Sequence, residues 1–100
     1  MSKSPTLADI FEARRLLRGY LAPTPLHHYP SLSQVLEAEV YVKHENHTPI
    51  GSFKIRGGIN ALARFTEGQK KRGVIVSSSG NFGQAVAYAG QIFGVKAVVV

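Results

Sequence analysis

The 100-residue chain contains no cysteine and no tryptophan, and it has a single methionine. The lack of cysteine excludes a disulfide framework, thiol catalysis and a thiolate metal site. Long hydrophobic runs are also missing. No segment approaches the roughly 20 apolar residues of a membrane span, so we expect no membrane partner. Residues 1–5 lack the apolar core of a signal peptide, and we expect a cytoplasmic protein.

Acidic residues are scarce: 6 Asp and Glu stand against 12 Lys and Arg, for a net charge of +6. Residues 69–72 form the densest basic patch, and a nucleic-acid surface is one interpretation. We favour a helix end, where cations complement the dipole before Gly73, because no nucleic-acid motif accompanies the patch. His44 and His47 are three residues apart, but no cysteine or acidic cluster supports a zinc site. We expect neither nucleic acid nor metal.

The most informative segment is Gly51–Gly58, which follows a polar loop and opens a helical pattern extending to Phe65. Lys54 falls in the first turn of this predicted helix, where the positive end of the helix dipole disfavours a cation. An amine kept neutral by burial would avoid that penalty, and a neutral amine is a nucleophile. The ordinary alternative is a solvated lysine whose stem lies along the surface.

A second informative segment, residues 77–84, reads Ser-Ser-Ser-Gly-Asn-Phe-Gly-Gln. It follows the β-branched run 74–76 and precedes an apolar-periodic helix over 85–93, after which 97–100 reads as another strand. This pattern predicts a parallel, right-handed βαβ unit. Ligands of such units bind where strands end and helices begin. An ordinary N-cap explains one or two of these polar residues, and the full cluster favours contact with an anion.

Together the two segments resemble the fold-type II enzymes that depend on pyridoxal 5′-phosphate, and most closely the threonine/serine dehydratase and serine racemase group. The resemblance covers nearly the whole chain. It implies an α/β, tryptophan synthase β-like fold, a three-layer αβα architecture with parallel strands. The residues that carry it are 24–26, 41–43, Glu45, 51–57, 78–81 and 83–84.

The resemblance also implies roles for individual residues. Lys54 would carry pyridoxal 5′-phosphate and act as a general base. Phe53 would pack near the cofactor ring, and Asn81 would hydrogen-bond its 3′ oxygen. Ser79 matches the racemase residue that protonates the opposite face of the substrate. The residues implied to bind the substrate are Ser78, Ser79, Gly80, Asn81 and Gln84.

The implied reaction is β-elimination from threonine or serine, which gives a 2-oxo acid and ammonia. The partners expected are a small amino-acid substrate and, in the full-length protein, further copies of the same chain. A racemase, a threonine synthase-like or cysteine synthase-like enzyme, and a non-catalytic α/β module remain as alternatives. Two positions depart from the family: Ile50 replaces what is usually a small hydroxylated or similarly small residue, and Phe82 replaces a frequent histidine. Phe82 leaves the choice of substrate open.

We expect the chain to be the N-terminal fragment of a longer enzyme, truncated within a strand and inactive alone. A buried parallel strand such as 97–100 normally continues into a helical crossover. The family's glycine-rich phosphate loop and its partner for the pyridine nitrogen would lie further downstream. Residues 1–72 would belong to the larger, cofactor-binding domain, and residues 73–100 would begin the smaller one.

The remaining segments read as scaffold. Thr6 and Asp9 predict a capped helix that runs to about Arg18 and stops at Gly19. Its apolar residues, Leu7, Ile10, Phe11 and Leu17, are expected to form a buried stripe. A second helix is predicted over 31–36, a strand over 40–43, and a short strand at His27 and His28.

Overall fold

The computed structural model describes residues 3–100, and within that range it contains five α-helices and four short β-strands. The helices are α1 Leu7–Leu17, α2 Pro30–Leu36, α3 Ile55–Ala63, α4 Glu67–Arg72 and α5 Asn81–Phe93. The strands are β1 Leu26–His28, β2 Tyr41–Lys43, β3 Val74–Val76 and β4 Ala97–Val99. A single 3₁₀ turn, Glu45–His47, follows β2.

The strands form two separate pairs. β3 and β4 are parallel, with Val74 opposite Ala97 and Val76 opposite Val99, and α5 connects them. The predicted parallel βαβ unit is therefore confirmed. β1 and β2 are antiparallel. The sequence predicted only parallel strands, so this antiparallel pair is a feature that it did not predict. In the part of the chain described, no helix combines the length and hydrophobicity needed to cross a membrane.

Helix α1 begins where its sequence predicts. The Asp9 N–H donates to Thr6 Oγ1 at 3.2 Å, and the Thr6 N–H donates to Asp9 Oδ2 at 2.7 Å. This capping box satisfies two donors that a helix N-terminus otherwise leaves unpaired. The helix ends at Leu17, with Arg18 as the C-cap residue.

The predicted buried stripe on α1 is wrong for this chain. Leu7, Ile10 and Phe11 are 67%, 58% and 51% exposed. Only the C-terminal end of the helix reaches the core, through Leu16 and Leu17, which are partly buried. A helical spacing of apolar residues identifies a face, but burial also needs an element packed against that face.

The hydrophobic core lies between α3 and α5. Gly58 of α3 allows the two helices to approach closely, because a Cβ added there would lie 2.7 Å from the carbonyl oxygen of Ala85. Gly58 follows Lys54 by one helical turn, and Ala85 follows Asn81 by the same spacing. The contact therefore fixes the starts of both helices relative to each other. The buried core residues are Ile55, Ile59, Leu62, Ala89 and Val95.

The helical pattern after Lys54 divides into two helices. α3 ends at Ala63, and Thr66 then caps α4 through a second capping box with Gln69. Phe65 lies between them and packs against the core. The basic patch occupies the last turn of α4, as predicted, and Gly73 follows with a left-handed φ of 78°.

Candidate active site

Lys54 is the N-cap residue of α3, one position before the first turn that the sequence predicted. Its backbone is already helical, with φ −63° and ψ −19°, so the difference concerns only where the hydrogen-bonded helix begins. The side chain is exposed. The burial expected around the amine is therefore not supplied by residues 3–100.

Two hydroxyl side chains shape the loop before the lysine. Thr48 Oγ1 donates to the Ser52 carbonyl oxygen at 2.8 Å and accepts from the Ser52 N–H at 2.9 Å. Ser52 Oγ in turn accepts from the Lys54 N–H at 3.2 Å. Ser52 is buried, with 7% exposure. Sequence reasoning missed both hydroxyls, although two hydroxyl residues flanking a glycine four residues apart are a signal for such a turn.

Ile50 has a packing role that explains how the loop accepts it. Its side chain is partly buried against the core residues of α3 and α5. The departure from the family pattern therefore places an apolar contact where a small residue is usual. Thr48 supplies a hydroxyl to the same loop.

The serine-rich turn lies at the start of α5, with Ser78 as its main structural residue. Ser78 Oγ accepts from the Gly83 N–H at 3.0 Å and from the Gly80 N–H at 3.3 Å. It thereby caps the helix from outside. Gly83 keeps α5 close to β4, because a Cβ there would lie 2.9 Å from Val99 Cγ1.

Lys54 and the serine turn line one open cavity with a volume of about 750 Å³. This is the juxtaposition on which the sequence prediction depended. Phe82 lines the same cavity, so the second departure from the family faces the site. Ser77 does too, although it was not among the predicted site residues. The lining residues are Lys54, Ser77, Ser78, Ser79, Phe82 and Val100.

The other predicted site residues lie around this cavity without lining it. Gly80 and Gln84 line a smaller neighbouring cavity of about 340 Å³, which shares Ser78 and Ser79 with the first. Asn81 is the first residue of α5 and is exposed, and Phe53 is 61% exposed. Neither Asn81 nor Phe53 lines either of these two cavities. Their contacts with a cofactor remain predictions.

The cavity suits an anionic ligand that carries an aldehyde. Lys54 supplies an amine and a positive charge, and no acidic side chain of the described residues lines the cavity. The first turn of α5 presents N–H groups that have no acceptor within the helix, and its dipole favours an anion. Phe82 supplies an aromatic ring to the same cavity lining. These groups fit pyridoxal phosphate.

An ion pair lies beside the lysine loop. Arg56 Nε and Nη2 donate to the two carboxylate oxygens of Glu45 at 2.7 and 2.9 Å. This hydrogen-bonded partner lowers the pKa of the Glu45 carboxyl to about 2, and a hydrogen bond from Thr24 acts in the same direction against the effect of burial. The Arg56 pKa is raised by the same pair. Both groups are charged at neutral pH.

The histidines form a separate group at β1 and the 3₁₀ turn. The His44 ring lies 5.4 Å from that of His27 and 5.3 Å from that of His47, and His44 Nε2 lies 2.7 Å from Tyr29 Oη. Across residues 3–100, no group of three or more histidine, cysteine or acidic side chains could hold a metal ion.

Residues 17–100 match the model of a family described as pyridoxal-phosphate dependent enzyme. The chain is 47% identical over 95 residues to an L-threonine ammonia-lyase of Thermotoga maritima, covering 95% of this chain and 24% of the relative. It superimposes on maize serine racemase with a TM-score of 0.88 and 31% identity, covering 93% of this chain and 29% of that one. For a threonine deaminase of T.th. the TM-score is 0.85 and the identity 38%, covering 95% and 30%.

The chain therefore belongs to the pyridoxal-phosphate-dependent enzyme family, with the fold-type II architecture that the sequence predicted. The cofactor prediction is confirmed at the level of the family. The chain spans between about a quarter and a third of the length of these relatives.

Proposed function

We propose that the protein containing this chain is an ammonia-lyase that converts a β-hydroxy amino acid, threonine or serine, into a 2-oxo acid and ammonia. The observation that carries the proposal is the cavity shared by Lys54 and the serine turn. An amine and a helix start that line one cavity are what an amino-acid substrate needs for removal of its Cα proton and for capture of its carboxylate. A relative named L-threonine ammonia-lyase supports the same choice.

Pyridoxal phosphate, when bound, supplies the electron sink that stabilises negative charge at the substrate Cα. In this proposal Lys54 holds the cofactor and its Nζ later accepts the Cα proton as general base. The turn around Ser79 and Gly80 orients the substrate carboxylate, with Gln84 in support. Asn81 and Phe53 orient the cofactor ring. Phe82 borders the site.

The second candidate is an amino-acid racemase. It is favoured by one specific observation, since Ser79 lines the same cavity as Lys54. Two proton-carrying groups on opposite sides of Cα are the requirement for racemisation, because one removes the proton and the other returns it. In this candidate Ser79 Oγ is the second group.

The assay that separates the candidates uses the full-length protein loaded with cofactor. We expect 2-oxo acid to form from L-threonine and L-serine. Formation of D-serine without 2-oxo acid would assign the racemase. Turnover only with an added sulfide or phosphohomoserine substrate would assign a synthase, and no turnover with cofactor bound would favour a binding module.

The organisation of the full-length protein is part of the proposal. We assign residues 1–72 to the larger domain and residues 73–100 to the start of the smaller one. Within this chain the α3–α5 core joins the two parts. We also propose a homo-oligomer, for which light scattering of the full-length protein should give a mass at least twice that of one chain.

A further inference from the structure

The ion pair of Glu45 and Arg56 connects two segments on either side of the lysine loop. Glu45 begins the 3₁₀ turn after β2, and Arg56 lies in the first turn of α3, two residues after Lys54. The guanidinium meets the carboxylate through two nitrogens, at 2.7 and 2.9 Å. A two-point contact of this kind fixes orientation as well as distance. The side chains of Arg56 and Glu45 are only 32% and 22% exposed, so solvent screens this pair less than it screens a fully exposed surface pair.

Thr24 also holds the carboxylate, and Lys43 in turn holds Thr24. Thr24 Oγ1 donates to Glu45 Oε1 at 2.5 Å, and Lys43 Nζ donates to the Thr24 carbonyl oxygen at 2.7 Å. Thr24 is 6% exposed. The carboxylate of Glu45 therefore joins the segment before β1 to the start of α3, and Lys43 links that segment to the end of β2. Fixed hydrogen-bond partners on several segments leave such a group little freedom to move.

The lysine lies between two anchored residues. On one side its N–H donates to Ser52 Oγ, and Ser52 is held by Thr48. On the other side Arg56 is held by Glu45. The backbone that carries the amine is thus fixed both before and after Lys54.

The Glu45 carboxylate balances positive charge at the N-terminus of α3. Lys54 and Arg56 place two cations at the N-terminus of α3, where the helix dipole is positive, and the first turn contains no acidic residue. Glu45 brings the missing negative charge from outside the helix. Without it, Arg56 would lose its hydrogen-bonded partner, and the first turn of α3 would lose its tether to the 3₁₀ turn.

We propose that Glu45 is a positioning residue for Lys54 that acts through Arg56. It fixes the start of α3 and thereby the direction from which the amine approaches the cofactor and the substrate Cα. This inference rests on the proposed function, in which Lys54 carries the cofactor. A displacement of a catalytic group by about 1 Å can cost on the order of 100-fold in rate. Loss of the pair should therefore affect turnover more than substrate binding.

The test uses the full-length protein with its cofactor and the variants Glu45→Gln, Arg56→Lys and Glu67→Gln. The first removes the charge, and the second keeps the charge but loses the two-point geometry. The third is a matched control, because Glu67 pairs with Lys70 at 3.3 Å on the exposed surface of α4. kcat, KM, the pH dependence of the cofactor absorbance and amide hydrogen exchange of residues 52–56 are measured on folded protein.

We expect Glu45→Gln and Arg56→Lys to lower kcat by about 10- to 100-fold with little change in KM. Both should change the pH profile of the cofactor band and speed hydrogen exchange over residues 52–56. The double variant should lose no more than the worse single variant, because both act through one contact. Glu67→Gln should match the wild type throughout.

Wild-type kcat and an unchanged cofactor pH profile in both Glu45→Gln and Arg56→Lys would overturn the inference. So would a loss of thermal stability alone, with kcat per folded molecule preserved, because that marks a merely structural pair. A Lys54→Ala variant measured in parallel distinguishes a failure of the role proposed for Lys54 from a failure of the positioning role proposed for Glu45. If it retains the cofactor band, the role that the proposed function gives to Lys54 is wrong. If it loses the band while the Glu45 and Arg56 variants behave as wild type, only the positioning role is wrong.

Discussion

The two neighbouring serines of the turn near Lys54, Ser78 and Ser79, have different surroundings. The difference distinguishes a structural serine from a candidate catalytic one. Ser78 Oγ is engaged by two backbone N–H groups at the start of α5. Both serines line the cavity that Lys54 lines, and Ser79 is the more exposed of the two. The resemblance to the family assigned both to the substrate. The geometry favours Ser79 for that role and gives Ser78 a capping role.

This difference predicts opposite outcomes for two adjacent substitutions. Ser78→Ala removes a helix cap and should lower the free energy of unfolding by about 0.5–2 kcal/mol. Ser79→Ala should leave stability within about 0.5 kcal/mol and should lower turnover or racemisation. Urea unfolding and initial rates of the full-length variants measure both effects. Equal loss of stability in the two variants would contradict the assignment.

Phe82 lines the cavity, so its side chain should influence the choice of substrate. A phenyl group adds apolar surface and removes the cation-capable group usual in the family. We expect threonine to be preferred over serine by about 1 kcal/mol, the contribution of one buried methyl group. Phe82→His should narrow that preference, as measured by kcat/KM for 2-oxo acid formation from each substrate. An unchanged ratio would place the methyl group of threonine away from residue 82.

Glu45 gives the stability of the protein a defined dependence on pH. Its pKa falls from an ordinary 4.5 to about 2 in the folded chain. A depressed carboxyl pKa means that the folded state binds fewer protons, so the stabilisation is fully present above about pH 4.5 and is lost as the pH falls towards 2. The difference in unfolding free energy between wild type and Glu45→Gln should be constant at neutral pH and shrink across this window. A constant difference down to pH 2 would contradict the ion pair.

At the scale of elements, the packing of α3 on α5 brings Lys54 to the serine turn. Gly58 lies at the point of closest approach, and a Cβ there would meet backbone atoms of Ala85 at 2.7 Å. Gly57, its neighbour, has no atom within 4 Å of the same position. The two glycines therefore form a natural pair for a test.

Gly58→Ala should destabilise the full-length protein by about 1–3 kcal/mol, because backbone atoms cannot move aside as a flexible side chain would. It should also reduce turnover by displacing Lys54. Gly57→Ala should instead be neutral or stabilising by up to about 1 kcal/mol, since alanine has the higher helix propensity. Thermal unfolding and kcat of both variants are the measurements. A stable, fully active Gly58→Ala variant would show that the close approach is not required.

The sequence predicted local elements better than their partners. Thr6 with Asp9 marked the start of α1 correctly, because a capping box is a contact within one turn. The βαβ unit was predicted correctly because the change in apolar spacing from strand to helix and back to strand can also be seen in the local sequence. The burial of Leu7 was predicted wrongly, and the bond between Thr48 and Ser52 was missed. Both depend on tertiary or loop geometry that spacing alone does not contain.

On the scale of the whole molecule, the chain is extended and its core is small. The radius of gyration is 16.5 Å, compared with about 13 Å for a compact domain of this length. Large apolar side chains such as Leu7, Val35 and Ile75 are 67%, 78% and 75% exposed. Exposed apolar surface on this scale is typical of faces that contact another part of a protein. The relatives have longer chains, which in those proteins can supply the surface that packs against such faces.

The most direct test of the central claim is to locate the cofactor on the full-length protein. Borohydride reduction followed by proteolysis and mass spectrometry should find the pyridoxyl group on Lys54, and Lys54→Ala should lack the visible cofactor band. Lys70→Ala, a control at a lysine that pairs with Glu67 on α4, should keep both the band and the adduct at Lys54. An adduct on any other lysine of the wild-type protein, or a full band in Lys54→Ala, would contradict the assignment of Lys54 as the cofactor-bearing residue.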